Sequence, residues 1–466
     1  MVRVFLFLFL FSSITSFTQN SWKHGRLQVS KNGHFLQYED GYPFFWLGDT
    51  GWELFHRLNK DEIATYLDNR SKKGFNVIQA VMLAEFDGLR KPNRYGQVPF
   101  INLNPEKPNE KYFELIDWTV KEALKKNMFM GLLPTWGDKV TLLWGEGPVV
   151  FNESNAFNYG LYIGKRYASF PNIIWILGGD RPATNDSGDW RPIWRAMAKG
   201  IKQGTKGNAI FSYHISGGER STSFDLHQED WLDINMMQSG HGSGHDVPVW
   251  KWIERDRVLI PVKPTLDSEP NYEDHPVNPW PKWDPANGYF RDYDVRKQCY
   301  RSVFSGACGV TYGHHAVWQF WSRQEKIINH ADRYWNQAID RPGAFQVGYL
   351  RKLMESRPLL TRIPDQSLVI DGQGEKGEYI SAFRDGDSSY IMVYLPVGKE
   401  IKVQTEAIKS NQLRIWWFNP KTGKAHQSGI LKNNKFITAT APTTGYENDW
   451  VLIMEDASKK FKDPGK

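Results

Sequence analysis

The feature that most constrains the fold of this chain is an alternation of eight apolar, strand-like runs with helical patterns. The strand-like runs are Phe44–Gly48, Asn76–Leu83, Phe129–Pro134, Ile173–Gly178, Ala209–Tyr213, Asp233–Met237, Thr265–Asp267 and Gly309–Tyr312. Helical patterns lie between most of them and after the last: Lys60–Lys73, Glu110–Lys126, Asn155–Ser169, Trp190–Gln203, Tyr293–Ser305 and Arg341–Ser356. Eight strands in this alternation predict an α/β fold, a (β/α)8 TIM barrel over residues 20–359, rather than an open sheet.

The pattern changes after Arg357-Pro358, where short alternating segments and turn residues replace the long helical repeats. The segments are Tyr379–Phe383, Tyr390–Leu395, Leu413–Phe418 and Trp450–Met454. Short strands at regular intervals predict a second domain, an antiparallel β-sandwich over residues 360–456. The polar, lysine-rich segment 457–466 is expected to be a flexible tail.

The N-terminus has the order of a secretory signal peptide. Arg3 precedes an apolar stretch, Val4–Phe11, and a small polar stretch, Ser12–Ser16. We therefore expect residues 1–19 to be removed and the protein to be exported to the periplasm or the outside of the cell. No cysteine lies near the cut, and no other run is long and apolar enough to span a bilayer, so no membrane anchor is predicted.

Composition narrows the classes of partner. The net charge is +6, but lysine and arginine are dispersed and form no long cationic run, which argues against nucleic-acid binding. The chain has 20 tryptophans, whose flat apolar faces suit sugar rings, although packing in a tryptophan-rich core is the favoured interpretation for most of them. A mild positive field could assist capture of an acidic polysaccharide. For Cys299 and Cys308, two buried free thiols are favoured over a disulfide.

Two acidic residues stand where strand-like runs end. Asp180 closes the fourth run and Glu269 follows the seventh. In a barrel of this kind the carboxyl ends of the strands form the active site, so both side chains are expected at one mouth. Two carboxyls can hydrolyse a glycosidic bond, because one protonates the departing oxygen while the other stabilises or attacks the sugar carbon. Both the retaining and the inverting outcome stay open, because the separation of the carboxyls decides between them.

Other polar and aromatic side chains are expected at the same strand ends, where they could bind substrate. They are Asp49, Glu85, Trp136, His214, Gln238, His241, His314 and Trp318. Each has a plain structural alternative: the acidic residues could brace a strand or stand at the rim, the histidines could be bonded in the core, and the tryptophans could be packing residues.

Rival enzyme classes find less support. A metal-dependent barrel hydrolase needs clustered histidine ligands, and the first strand ends Gly48-Asp49-Thr50 without a histidine pair. No Gly-x-Ser-x-Gly elbow of a serine hydrolase is present, and no dinucleotide fingerprint appears. We predict neither a metal nor a cofactor. A catalytically silent carbohydrate-binding protein with the same tryptophan-lined cleft remains the rival from another class.

Four ordered motifs carry a family resemblance. They are Gly41–Trp52, Trp175–Pro182 with its Gly-Gly-Asp-Arg-Pro core, Asp267–Glu273 and Gly309–His314. Together they resemble the apiosidase-like glycoside hydrolases, family 140, while Trp416–Pro420 and Asn448–Leu452 resemble the β-sandwich, labelled collagen-binding, that follows that barrel. The resemblance implies release of apiose from side chains of the pectin rhamnogalacturonan II, with catalytic carboxyls at Asp180 and Glu269. By analogy with related barrels, Asp180 would be the acid/base and Glu269 the nucleophile. Another plant polysaccharide remains an alternative substrate.

Overall fold

The computed structural model describes residues 22–242, 244–277 and 282–466, so the predicted signal peptide lies outside the described residues. Eight parallel strands form the barrel: β1 Trp46–Thr50, β2 Val77–Val81, β3 Phe129–Leu133, β4 Ile173–Gly178, β5 Phe211–His214, β6 Asn235–Met237, β7 Thr265–Asp267 and β8 Gly309–Tyr312. Their neighbour order is β5-β4-β3-β2-β1-β8-β7-β6. The barrel nearly closes between the two ends of this order, where Ile234 N donates to Phe211 O at 3.1 Å. The predicted fold class is confirmed.

Helices follow the strands and form the outer layer. They are α1 Lys60–Lys72, α2 Glu110–Lys125, α3 Glu153–Tyr167, α4 Arg191–Gly204, α5 Ser223–Leu226, α6 Val249–Arg257, α7 Asp292–Phe304 and α8 Pro342–Glu355. Short helical turns add Leu54–Arg57, Ile101–Leu103, Gly137–Lys139, Pro285–Asn287, His315–Trp318 and Trp335–Ala338. Asn59 begins α1 in a capping box with Glu62, which satisfies backbone donors that the first turn leaves free. The sequence patterns miss α5 and α6.

The barrel strands are buried on both faces and mostly apolar, as coverage by a surrounding helix layer requires. Side chains that point into the barrel include Val77, Val81, Phe129 and Leu133, and they form one buried cluster. Their neighbours along the same strands, such as Ile78 and Met130, join a second cluster with the helices. Position along a strand therefore decides whether a side chain faces the barrel interior or the helix layer.

The N-terminal end of the barrel is covered by a small antiparallel sheet. The strands Leu27–Val29 and Leu36–Tyr38 pair antiparallel, and Pro43–Phe44 adds a third. Phe44 packs edge-on against Phe129 at the start of β3, with ring centroids 5.3 Å apart. The opposite end of the barrel, where the strands finish, carries the candidate site.

The C-terminal domain consists of antiparallel sheets. Its strands are β9 Arg362–Pro364, β10 Val369–Asp371, β11 Ser381–Asp385, β12 Tyr390–Leu395, β13 Gly398–Gln404, β14 Gln412–Asn419, β15 Lys424–Lys432, β16 Phe436–Gly445 and β17 Trp450–Asp456. One sheet has the order β9-β11-β12-β17-β14-β15 and the other β10-β13-β16. Buried residues from both sheets form a shared core, for example Val393 and Leu452 against Ile401 and Val403.

Charged side chains fasten this domain to α7 of the barrel. Arg296 on α7 donates from Nε and Nη2 to the two carboxylate oxygens of Asp449, at 2.8 and 2.7 Å, and both side chains are 1% exposed. Beside this pair, Tyr300 stacks on Tyr394 with ring centroids 4.8 Å apart. Removal of either partner of an ion pair this deeply buried is costly, although Arg296 also pairs with Asp292 on its own helix at 3.2 Å.

The C-terminal tail departs from the expectation of a flexible end. The Arg357 guanidinium lies over the Phe461 ring, 4.9 Å from its centroid, and donates from Nη1 to Lys462 O at 2.8 Å. Pro464 is buried. The segment therefore packs back on the junction of the two domains. Both cysteines, Cys299 and Cys308, are free and buried, as favoured from the sequence. No helix in residues 22–242, 244–277 or 282–466 has the length and apolar character to cross a bilayer.

Candidate active site

A tight left-handed turn at the end of β4 positions Asp180. Gly178, Gly179 and Asp180 have φ values of 88°, 99° and 56°. A Cβ on Gly179 would lie 2.7 Å from the backbone nitrogen of Gly137, so glycine is required both for the backbone conformation and for the close approach. A left-handed non-glycine residue is uncommon and is found disproportionately at functional sites.

The Asp180 carboxyl opens to the barrel mouth and is 26% exposed. Trp144 Nε1 donates to its Oδ2 at 3.3 Å, and Arg181 Nη1 lies 3.5 Å from the same oxygen. Desolvation raises the pKa of Asp180 to about 6; the Arg181 charge opposes this shift and the negative charge of Glu269 adds to it. Near neutral pH this carboxyl is therefore able to hold and release a proton.

Glu269 follows β7 and is only 4% exposed. Its Oε1 accepts from Gln238 Nε2 at 2.7 Å and lies 3.0 Å from His241 Nε2, while its Oε2 lies 2.9 Å from His214 Nε2. Burial alone would raise the pKa of Glu269, but hydrogen bonds from His214 and His241 outweigh it and hold the pKa well below the usual range. The group is therefore kept ionised.

His214 connects the two acidic residues. The backbone N–H of Asp180 points at Nδ1 of this imidazole, 3.4 Å away. Because a backbone amide only donates, Nδ1 is the acceptor and the ring proton of the neutral imidazole sits on Nε2. Nε2 therefore donates to Glu269. Through His214, the turn that carries Asp180 is therefore linked to the orientation of the Glu269 carboxylate.

Several buried polar atoms near Glu269 have no hydrogen-bond partner among the described residues. They are Trp136 Nε1, Gln238 Oε1, His241 Nδ1 and the Tyr272 hydroxyl. Buried polar groups are nearly always bonded, so an unpartnered set of this kind beside a catalytic-type carboxylate is suited to a ligand with its own donors and acceptors. Sugar hydroxyls supply both.

A third carboxyl, Glu85, follows β2. Burial raises its pKa to about 8, and the negative charges of Asp180, Glu53 and Asp138 add to the shift, while Arg181 opposes it. Glu85 is therefore mainly neutral at pH 7 and lies within electrostatic reach of Asp180. Among the residues that the structure describes, no group of three or more His, Cys, Asp or Glu is placed to hold a metal ion.

Comparison with known families places this barrel. A model described as "Apiosidase-like, catalytic domain" matches residues 30–361, and one described as "Putative collagen-binding domain of a collagenase" matches residues 363–455. The chain belongs to the apiosidase-like family of glycoside hydrolases. The two matches meet where the barrel ends and the β-sandwich begins.

Solved structures similar to this apiosidase-like hydrolase share both domains. One described as a glycoside hydrolase is 33% identical, with a TM-score of 0.85, over 94% of this chain and 98% of the other. A second, described as a family 5 glycoside hydrolase from Bacteroides vulgatus, is 32% identical, with a TM-score of 0.85, over 94% of each chain. A third from the same organism, 15% identical with a TM-score of 0.67, shares the fold. A search of curated proteins found no match.

Most of the predicted site residues meet at the mouth of the apiosidase-like barrel. Asp180, Glu269, His214, Gln238 and His241 form one bonded network, as described above. Trp136 packs beside this network, with its ring centroid 6.0 Å from that of His214. His214 is fully buried, so it acts on Glu269 rather than on a ligand.

Besides His214, three predicted binding residues are not placed to contact substrate. Asp49 faces the helix layer, where Arg70 Nε donates to its Oδ2 at 2.6 Å and the Tyr66 hydroxyl donates to the same atom, and it is fully buried. The prediction of substrate binding by Asp49 is therefore wrong, because the residue lies one position out of phase with the barrel interior.

The other two corrections concern the end of β8. His314 is fully buried, with Nε2 3.1 Å from Asp274 Oδ2 and Nδ1 accepting from Ala316 N at 3.0 Å, so both ring nitrogens are occupied by structural bonds. Trp318 is 8% exposed and packs against Phe86, which leaves no open face for a sugar. Both side chains support the rim.

The sequence patterns also missed residues of the apiosidase-like site. Tyr272 is fully buried near Glu269, and its pKa is raised well above the usual value by burial and by that negative charge. Trp144 contacts Asp180 from the loop after β3. The signal for Trp144 was an apolar triplet, Leu142-Leu143-Trp144, followed directly by the glycine-rich segment 145–147.

Proposed function

We propose that this protein is an exported, exo-acting apiosidase that removes apiose from rhamnogalacturonan II, with Asp180 as the acid/base and Glu269 as the nucleophile. The observation that supports this assignment best is the opposite tuning of the two carboxyls. The Asp180 pKa is raised to about 6, while the Glu269 pKa is held well below the usual range. Pairs of titratable groups pushed apart in this way are typical of acid and base partners.

The proposed reaction uses each carboxyl in turn. Ionised Glu269 attacks the anomeric carbon as protonated Asp180 gives its proton to the departing oxygen, and the glycosidic bond breaks. Asp180, now ionised, takes a proton from water, whose oxygen displaces Glu269 from the sugar and restores both groups. His214, His241 and Gln238 keep Glu269 ionised and fixed in orientation before the attack.

The choice of sugar and the proposed export are supported by different observations. The unpartnered polar atoms of Trp136, Gln238 and His241 include donors and acceptors of the kind that sugar hydroxyls pair with. Apiose itself is supported by membership of the apiosidase-like family. Export is supported by the N-terminal order of Arg3, an apolar stretch and small polar residues.

The test is the release of monosaccharide from rhamnogalacturonan II oligosaccharides by the wild type, Asp180→Asn and Glu269→Gln. We expect apiose from the wild type and at least a thousandfold loss in each variant, because either change removes one half of the chemistry. Asp371→Asn and Glu375→Gln, exposed in the second domain, serve as matched controls. Two active-site variants as fast as the wild type would contradict the residue roles.

The same assay separates the alternatives. Release of a different sugar would keep the two carboxyl roles and replace apiose, which makes the enzyme a glycosidase for another plant polysaccharide. Tight binding without any release, measured by calorimetry, would favour a non-catalytic carbohydrate-binding protein.

A further inference from the structure

An exposed apolar tip stands beside the candidate acid. It belongs to the loop between β3 and α3 and consists of Leu142, Leu143 and Trp144, which are 50%, 38% and 44% exposed. Large apolar side chains exposed together on a rim mark binding surfaces more often than singly scattered ones do. The two-carboxyl reaction does not need these three apolar side chains to be exposed, and neither does the packing of the barrel.

The tip is held in place by a buried arginine. Arg181 is fully buried, and its guanidinium carbon lies 4.1 Å from the centroid of the Trp144 ring. Its Nη2 donates to the carbonyl oxygen of Trp144 and its Nη1 to that of Asp180, at 2.8 Å in the second case. Arg181 thus fixes the position of the loop tip relative to Asp180. Its guanidinium covers one face of the Trp144 indole.

A second tie fixes the base of the loop. Asp138 is fully buried, accepts from Gly147 N at 2.8 Å and pairs with Lys139 Nζ at 2.7 Å. The loop is therefore braced on both sides of its apolar tip. An aromatic face that is exposed and rigid binds a ring at little entropic cost, because no side-chain freedom remains to be lost.

The position of Trp144 relative to the chemistry determines which part of a substrate it would meet. Its Nε1 donates to Asp180 Oδ2 at 3.3 Å. In the proposed function Asp180 protonates the departing oxygen, so a group next to its carboxyl lies on the leaving side of the bond. The sugar held at Glu269 lies on the other side.

We propose that Trp144, together with Leu143, is the binding platform for the first sugar of the leaving group and sets the preference of this enzyme for the chain from which the terminal sugar is removed. This inference rests on the proposed function. The platform takes the apolar C–H face of a pyranose-type ring, which packs on an indole face. Leu142 and Leu143 extend the apolar surface beyond the indole.

Two variants separate the platform from the hydrogen bond to Asp180. Trp144→Phe keeps an aromatic face and removes the Nε1 donor, whereas Trp144→Ala removes both. Tyr42→Ala is the control, because Tyr42 is 58% exposed at the opposite end of the barrel. The substrates share one terminal sugar: the oligosaccharide, and the same sugar as a glycosyl fluoride, whose leaving group is too small to reach Trp144.

We expect Trp144→Ala to raise KM for the oligosaccharide about five- to tenfold, which matches the loss of one stacking contact. The KM for the fluoride should change less than twofold. Trp144→Phe should keep the oligosaccharide KM within about twofold of the wild type, and Leu143→Ala should raise it modestly. Tyr42→Ala should leave both values unchanged.

Equal effects of Trp144→Ala on both substrates, or none on either, would overturn the platform while leaving the proposed function intact. A wild type that cleaves neither substrate would instead overturn the proposed function, and the leaving-side assignment with it. If Trp144→Ala does not fold, judged by circular dichroism, Leu143→Ala and Trp144→Phe carry the same comparison, and a Leu143→Ala protein without a selective rise in oligosaccharide KM would count against the platform.

Discussion

His214 holds Glu269 through a contact of 2.9 Å between Nε2 and Oε2, and the histidine side chain is fully buried. His214→Phe keeps the ring volume and removes this bond. A hydrogen bond to a charged group contributes about 1.5–3 kcal/mol, so we expect kcat/KM to fall about 10- to 100-fold at pH 5. The acid limb of the pH profile should move to higher pH, because the pKa of Glu269 loses one of the causes that lower it.

The control for that change is His426→Phe, an exposed imidazole of the second domain. It should leave both the rate and the acid limb in place. A His214→Phe enzyme with lower activity but an unmoved acid limb would show that the histidine only fills space.

The pH profile of the wild type follows from the two carboxyls. Asp180 must be protonated to act as an acid, so kcat/KM should fall as pH rises through about 6, by up to tenfold per pH unit. Glu269 must be ionised, and its depressed pKa should preserve activity below pH 4.3, the ordinary value for glutamic acid. Initial rates between pH 3 and pH 9 at low substrate test this; a basic limb centred near pH 4 would contradict the assignment of Asp180.

Asp180→Asn should stabilise the protein near neutral pH. A carboxyl with a folded-state pKa of about 6 holds a proton that the unfolded chain releases above about pH 3.9, so stability falls as pH rises through that window. Removing the ionisable group abolishes this loss, and we expect a gain of about 2 kcal/mol at pH 7.5 and almost none at pH 3.5. Urea unfolding at both pH values measures the difference. An effect of equal size at both would point to lost or gained contacts instead.

Asp49→Asn should damage stability rather than substrate affinity. The change leaves the buried Arg70 guanidinium without its counter-charge, which costs about 3–5 kcal/mol. KM at a temperature well below unfolding should stay near the wild-type value. The matched control is Asp68→Asn on α1, the helix that also carries Arg70. Asp68 is 53% exposed, and its pair with Lys126 contributes at most about 1 kcal/mol. A raised KM with unchanged stability would restore the sequence-based prediction for Asp49.

Gly179→Ala should move the acid. Its Cβ would collide with the backbone of Gly137 and Trp136, so the turn must shift and carry Asp180 with it. We expect kcat to fall at least tenfold. The free energy of unfolding should fall by more than about 1–2 kcal/mol, which is the cost of placing alanine in the left-handed conformation without any collision. Gly207→Ala is the control, because Gly207 has φ +84° and open space around it. Similar behaviour of the two variants would show that the turn tolerates a side chain.

The sequence predicted the barrel correctly, and the structure brings most of the candidate site residues to its mouth, while their roles stay predictions. Apolar strand runs have to be covered on both faces, and the residue after each run lies at the strand end, which is why Asp180 and Glu269 could be paired. The same local pattern placed Asp49 on the wrong face of its strand. When both faces of a strand are apolar, the pattern does not tell which face the next polar residue takes.

What remained beyond prediction depends on contacts distant in sequence. The fold-back of the loop that brings Trp144 to Asp180 is fixed by Arg181, 37 positions further along the chain. Helix α6 is a different case, since its buried residues Val249, Trp250, Trp252 and Ile253 recur at helical spacing and could have revealed it.

The bidentate contact between Arg296 and Asp449 has a consequence for how such enzymes can be recombined. The helix that carries Arg296 follows the strand that presents Glu269, and its charge is shared between Asp292 on the same helix, at 3.2 Å, and Asp449 of the second domain. Exchange of the β-sandwich for an unrelated module would remove the bidentate partner of that guanidinium and the ring that stacks on Tyr300, and would leave Arg296 with Asp292 alone. A barrel cut free of the second domain would therefore lose folding stability, and its lower activity would not by itself measure what the second domain contributes to binding.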